Sequence, residues 1–213
     1  MSEEKIKEYR GIRNLVAAKL TKDTKTELTY DIPFYLAGIS ELTKETTSSS
    51  ETHYYDNKPA VVVNSTGADT VNVNVSAVSI QNTARITGQK YDEDTQMLIE
   101  GESDPDYMAI GYITKDTDKK EYYVWRLKGK FSIPSDSHAS EGDSADAKGQ
   151  ELTYTGIQTE KTFTKNDGKG ARAVIVPADT CGYTEEEFFS SVKTPDDIGK
   201  KTEGAETEQE PVG

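Results

Sequence analysis

The side chains able to do chemistry are few, and their spacing assembles no reaction centre. His53 and His138 are the only histidines. Both lie in polar stretches without nearby partners for a metal-ligand or base role, so each reads as a surface histidine. Cys181 is the single cysteine, which excludes an internal disulfide and a cysteine-based zinc site. As a nucleophile it would need a base, and Asp179-Thr180-Cys181-Gly182 supplies none; it reads as a partly buried structural thiol. Asp92-Glu93-Asp94, Asp104-Pro105-Asp106 and Asp116-Thr117-Asp118 contain pairs of possible calcium ligands. None continues into a calcium loop with its terminal glutamate, and each falls between strand-like runs, where aspartate makes turns. Gly168-Lys169-Gly170 lacks the rest of a phosphate-loop frame. Tyr122, Tyr123 and Trp125 beside Lys128 and Lys130 resemble a base-stacking strand, but Trp125 falls on the apolar face of that strand. The expectation is a protein that is not an enzyme, with no cofactor and no metal.

Composition narrows the classes further. The chain has 213 residues, with 38 acidic and 25 basic side chains and a formal net charge of −13. A surface this acidic repels nucleic-acid phosphates, which opposes DNA binding but not a place beside DNA that must not stick. Leu, Ile, Val and Phe make up 39 of the 213 residues, about 18%, a share typical of disorder when the net charge is high. Twelve tyrosines and a patterned Val/Ile set oppose that reading, because tyrosine brings buried area that the aliphatic count omits. A thin β core surrounded by polar chain is expected. No stretch is apolar enough to span a membrane as a helix. The opening Met1-Ser-Glu-Glu-Lys-Ile-Lys-Glu8 lacks the apolar core of a signal peptide, so a cytoplasmic site of synthesis is expected.

The positioning elements are mostly strands. Thr70–Ala77 alternates Val71, Val73, Val75 and Ala77 with Asn72, Asn74 and Ser76, a half-buried strand. Ala60–Val63 precedes it, and the intervening Asn64–Asp69 reads as a turn joining an antiparallel pair. Tyr107–Thr114 and Glu121–Ile133 flank a second turn at Lys115–Lys120. In the latter strand Tyr123, Trp125, Leu127, Phe131 and Ile133 share one face, and Arg126, Lys128 and Lys130 the other. Leu152–Ile157 and Ala171–Val176 bracket Asn166–Gly170, a sequence suited to positive φ. Ile39–Ser49, Glu51–Asp56 and Glu151–Thr162 are Thr/Ser-rich, strand-like without a fully buried face, and open to lateral pairing. Val78–Thr87 stopped by Gly88, and Thr184–Val192 capped by Thr184 with glutamates in its first turn, read as helices. The expected core includes Val71, Val73, Val75, Tyr123, Trp125 and Leu127. Pro134–Gly149 reads as a long loop, and the chain after Lys193 has little to bury.

The order of these pieces resembles the major tail tube proteins of bacteriophages with long non-contractile tails. The resemblance rests on Tyr9-Arg-Gly-Ile-Arg-Asn-Leu15, Tyr30-Asp-Ile-Pro-Phe-Tyr-Leu-Ala-Gly38, Tyr54-Tyr-Asp-Asn57, the Val78–Gly88 helix with its glycine, Asp104-Pro-Asp-Tyr-Met-Ala-Ile-Gly-Tyr112 and Tyr123-Val-Trp-Arg-Leu-Lys-Gly-Lys-Phe131 followed by Pro134. These run in family order across residues 9–177.

The resemblance implies an antiparallel β-sandwich or partial barrel with a flanking α-helix, completing an intersubunit β-barrel in a hexameric ring. It divides the chain into an N-terminal assembly arm (1–11), a tail-tube domain (12–177) and a C-terminal arm (178–199); the acidic tail (200–213), expected to be disordered from its composition, has no counterpart in the family pattern. Glu45, Thr46, Thr47, Ser48, Ser49, Ser50, Glu51 and Thr52 correspond to the long inter-ring hairpin loop. Glu41, Glu45, Thr153 and Thr155 are candidates for the lumen wall. The implied partners are further copies of the chain, a tape-measure protein, a tail terminator and a distal tail protein, with viral DNA passing unbound through the lumen. The implied location is the virion, after assembly in a bacterial cytoplasm and without a membrane. About 24 strands at about 4.8 Å give a backbone diameter near 37 Å before tilt, wide enough for duplex DNA. The alternatives are a stand-alone β-sandwich binding module, predicting a stable monomer with an exposed aromatic patch, or a terminator or baseplate component of the same fold.

Overall fold

Alternating apolar residues and left-handed turn positions divide the chain into strands that pair antiparallel throughout. The computed structural model describes residues 6–136 and 149–199. Within them lie β1 (Tyr9–Asp23), β2 (Leu28–Tyr30), β3 (Phe34–Ala37), β4 (Ile39–Tyr55), β5 (Lys58–Val75), α1 (Ile80–Thr87), β6 (Lys90–Asp92), β7 (Met97–Ile99), β8 (Met108–Asp116), β9 (Glu121–Phe131), β10 (Gln150–Gly156), β11 (Ala173–Pro177) and α2 (Glu185–Phe189). The main sheet runs β2-β1-β8-β9-β10-β5-β4, with β3 also on β1 and β11 also on β9. The protein is mainly β and antiparallel, with α1 flanking the sheet.

β9 is the hub. One edge pairs with β8, while the other meets β11 at residues 122–126 and β10 at 129–131. The change of partner falls at Gly129, where a Cβ would lie 2.4 Å from Tyr154 Cζ and 2.5 Å from the Thr155 carbonyl oxygen. Two cores result. On one face Leu15, Ile110 and Val124 pack with Val71, Val73, Val75, Leu152, Tyr154 and the helical Ile86. On the other, Tyr123, Trp125 and Leu127 pack with Phe163, Cys181, Phe188 and Phe189, and the Trp125 indole donates to the Phe188 carbonyl (3.2 Å).

Several expectations change here. Phe131 joins the first core, its ring 5.2 Å from Tyr154, and Ile133 is exposed, because β9 exchanges β11 for β10 before reaching them. Ala77 is exposed beyond the end of β5. Asn64–Asp69 is no turn: β5 runs straight through it, paired with β4, and Val61–Val63 are exposed. The turn lies at Asp56-Asn57, with φ of 51° and 60°, the left-handed pair a two-residue hairpin needs. Within the C-terminal arm, 178–199, Cys181, Phe188 and Phe189 are buried in the second core, and Val192 and Ile198 pack against it. The 200–213 tail, His138 and most of the Pro134–Gly149 loop lie outside the described residues.

The helix termini follow their sequence signals. The Ser79 hydroxyl accepts from Asn82 N–H, and Gly88, at φ 69°, donates its N–H to the Ala84 carbonyl (2.9 Å). Thr184 and Glu187 form a reciprocal capping box. Two aspartate clusters act as turn formers: Asp92 accepts from the N–H groups of Asp94 and Thr95, and Asp116 from that of Lys120, all at 3.0 Å.

Candidate functional site: a polar sheet face and a projecting hairpin

β4, β5 and β10 stack their alternating side chains in register. Across the three strands the rows are Glu41–Asn74–Glu151, Thr43–Asn72–Thr153 and Glu45–Thr70–Thr155. Between them Leu42–Val73–Leu152 and Lys44–Val71–Tyr154 project to the opposite face, where Val71, Val73, Leu152 and Tyr154 are buried. Alternation makes the first set one continuous face of hydroxyls, amides and carboxylates. Cross-strand bonds order it: Asn74 Nδ2 donates to Glu41 Oε2 and Thr153 Oγ1 to Asn72 Oδ1, both at 3.1 Å. Lys130, opposite Thr155 on β9, lies 4.9 Å from the Tyr107 ring centroid and 3.8 Å from Asp104.

Glu41, Glu45, Thr153 and Thr155 therefore stand together on one sheet face. Thr43, Thr70, Asn72, Asn74 and Glu151 belong to it too. The Val/Asn alternation of β5 was the signal that could have found Asn72 and Asn74. A bulge at Ser40, between the Ile39↔Val75 and Glu41↔Asn74 pairs, brings Glu41 into the polar rows, and no local sequence rule announces it.

Beneath this face a charged cluster holds the root of the β4–β5 hairpin. The Asp69 carboxylate is buried and accepts from Thr46 Oγ1 (2.8 Å) and Arg126 Nη1 (3.3 Å), with Arg172 at 3.7 Å and Lys44 at 4.0 Å. Arg126 Nη2 donates to the Tyr112 hydroxyl (3.2 Å), and Arg172 Nη2 to the Thr66 carbonyl (3.0 Å). Beyond that root the two strands continue paired from Ser48↔Thr66 to Tyr55↔Lys58, a projection of about 30 Å at ~3.3 Å per residue.

All side chains on this projection are exposed. Tyr54, Tyr55 and Val62 remain 66%, 64% and 57% exposed. Isolated two-stranded hairpins are marginal in water, so these apolar groups form a contact surface without a contact in the single subunit. Glu45 and Thr46 lie at the root, and Thr47, Ser48, Ser49, Ser50, Glu51 and Thr52 lie along the strand. The hairpin segment Glu45–Thr52 lies on the outgoing strand, and the tip follows at Asp56-Asn57.

The remaining candidate groups have structural surroundings. Cys181 is fully buried, its Sγ 3.2 and 3.1 Å from the carbonyl oxygens of Ala178 and Tyr183. His53 is exposed on the hairpin opposite Val61. Arg13 joins β1 to β9 and α2 through Glu121 (3.0 Å) and Glu185 (2.5 Å), and its hydrogen bond to Glu185 is the largest influence raising its pKa. Among the described residues no group of three His, Cys, Asp or Glu side chains converges as a metal site, and no helix is long and apolar enough to cross a membrane. No protein-family model matches the chain, and no match is found among curated proteins.

Proposed function

We propose that this chain is a tube-forming structural subunit, the major tail protein of a long-tailed bacteriophage. Copies close into hexameric rings, and the rings stack around a channel. The observation that carries the reading is the polar face of β4, β5 and β10 on a sheet whose outer strand, β4, pairs on one edge only among the described residues. With the 129–131 end of β9, this sheet has four strands. A neighbour's strand satisfies the free N–H and C=O groups of β4, and six such sheets complete a barrel with the polar rows inside.

Hydroxyls, amides and the carboxylates of Glu41, Glu45 and Glu151 suit a wall past which DNA slides, because a row of free cations would hold the phosphates; Lys130, on the same face opposite Thr155, stands 3.8 Å from Asp104. The exposed tyrosines and valines of the hairpin make the contact between successive rings. Tape-measure protein occupies the lumen during assembly, terminator and distal tail proteins close the two ends, and the finished tube belongs to the virion. The chain acts as a scaffold and carries out no catalysis.

Negative-stain electron microscopy of the purified protein at rising concentration tests this reading. Stacked rings or tubes with a central channel of about 40 Å are expected from the strand arithmetic. Single particles at every concentration, with or without added tail-tip complex as initiator, would contradict it and favour a stand-alone binding module using Tyr54 and Tyr55.

A further inference from the structure

The β4–β5 hairpin leaves the sheet across a break in its own ladder. Thr46 pairs with Asp69 and Ser48 with Thr66, so the two strands advance by two and three residues between those pairs. A bulge of this kind bends and twists the strands locally. Outward from it every residue from Thr47 to Gly67 is exposed, so no core packing sets the direction in which the hairpin points.

One side chain spans the break. Arg172 Nη2 donates to the Thr66 carbonyl at 3.0 Å on the hairpin side, while Nη1 stands 3.7 Å from Asp69 on the sheet side. Among the described residues, and apart from the ladder itself, this is the one hydrogen bond from the rest of the subunit to Ser48–Thr66. Both ends of the grip are fixed. The Arg172 carbonyl accepts from Leu127 N–H of the hub strand (2.8 Å), and the buried Asp69 carboxylate also accepts from Arg126 (3.3 Å). The planar fork of arginine suits a two-sided hold. Lys44, by contrast, reaches only Asp69, at 4.0 Å.

We propose that the hairpin is a hinged arm: it pivots at the break between the Thr46–Asp69 and Ser48–Thr66 pairs, and Arg172, seated on Asp69, is the strap that holds it thrust out. An arm fixed before it meets anything pays less ordering entropy for the contact it then makes. The inference concerns the single subunit and stands apart from tube assembly.

Double electron–electron resonance on the full chain, held at a concentration where it sediments as a monomer, tests it. Thr52, Thr155 and Glu186 are exposed, and Cys181 is buried and stays unlabelled. Spin labels on Thr52→Cys and Thr155→Cys read the arm against the sheet, and labels on Thr155→Cys and Glu186→Cys read the body. With Arg172 in place both distance distributions should be narrow. Arg172→Gln should widen the arm distribution about twofold, as a local opening does, while the body pair and the thermal midpoint stay close to the parent's. Lys44→Gln removes a charge beside Asp69 but no bond across the break, and should leave the arm distribution narrow. An arm already broad in the parent, or no broader in Arg172→Gln, would overturn the proposal. Equal broadening in Lys44→Gln, or broadening of the body pair in Arg172→Gln, would also overturn it, making Arg172 part of the general charge balance or of the fold instead of a strap.

Discussion

Asp23→Ala is expected to lower the unfolding free energy by about 3–5 kcal/mol, the cost of stranding a buried charge. Asp23 and Lys128 form a buried pair at 2.7 Å, with side chains 5% and 9% exposed. The same carboxylate accepts from the N–H groups of Glu160 and Lys161 at 3.0–3.1 Å. It therefore ties the end of β1 to the hub strand and to the segment after β10. Its removal leaves the Lys128 ammonium with Glu160 at 4.0 Å and the Tyr107 ring at 5.0 Å, and leaves two backbone donors without their acceptor.

The loss depends on pH. Burial pushes the Asp23 carboxyl up, but the Lys128 bond and the two backbone donors outweigh it, so its pKa lies below the ordinary carboxylate value. A carboxylate with a depressed folded pKa stabilises the native state above its unfolded value, about 3.9, and loses that contribution as pH falls through the folded value. Backbone donors depress Asp196 and Glu187 in the same direction. Urea unfolding at pH 7 should show the full difference between parent and Asp23→Ala. The difference should narrow below about pH 4, as the parent itself weakens. A change under about 1 kcal/mol at pH 7, the range of an exposed pair, would contradict the buried-pair account.

The second large effect is on assembly and leaves the fold intact. Replacing Ser48–Thr66 by an Asn-Gly turn should abolish higher-order particles at concentrations where the parent assembles. The excised side chains are exposed, and apart from the Arg172 bond to the Thr66 carbonyl the Asp69 cluster and both cores remain, so the thermal midpoint should stay close to the parent's. A milder Tyr54→Ser/Val62→Ser variant should raise the concentration needed for assembly, because both side chains would be buried only between subunits. Sedimentation paired with thermal unfolding checks both. Assembly at the parent's concentration by the shortened chain would remove the hairpin from the ring-to-ring contact.

Legibility from sequence followed the range of each interaction. The stop of α1 at Gly88 and the cap of α2 at Thr184 were readable because they act within one or two helical turns, whereas Ser79, inside the helix the sequence predicts, is the N-cap of α1. The Val/Asn alternation of β5 was readable for the same local reason. Asn64–Asp69 misled because Asn, Gly and Asp favour turns in isolation, whereas pairing with β4 keeps that stretch extended and gives the turn to Asp56-Asn57. The sequence placed Arg126, Lys128 and Lys130 on one side of β9 without their partners, and Lys128 is buried against Asp23, 105 positions away. Local alternation cannot report such a partner. Nor can it report the Ser40 bulge or the exchange of β11 for β10 along β9, both of which are set by the sheet as a whole.

Cysteine labelling of the assembled particle tests the central claim most directly. Cys181 is fully buried, so a cysteine placed at exposed Thr155 is the reactive site. In the free Thr155→Cys subunit, a small maleimide and one carried on a long poly(ethylene glycol) chain should both react. In the particle the small reagent should still react through the channel, while the polymer-linked one should be excluded. Equal reaction of the polymer-linked reagent with particle and subunit would put the polar face of β4, β5 and β10 on the outside and contradict its role as a channel wall.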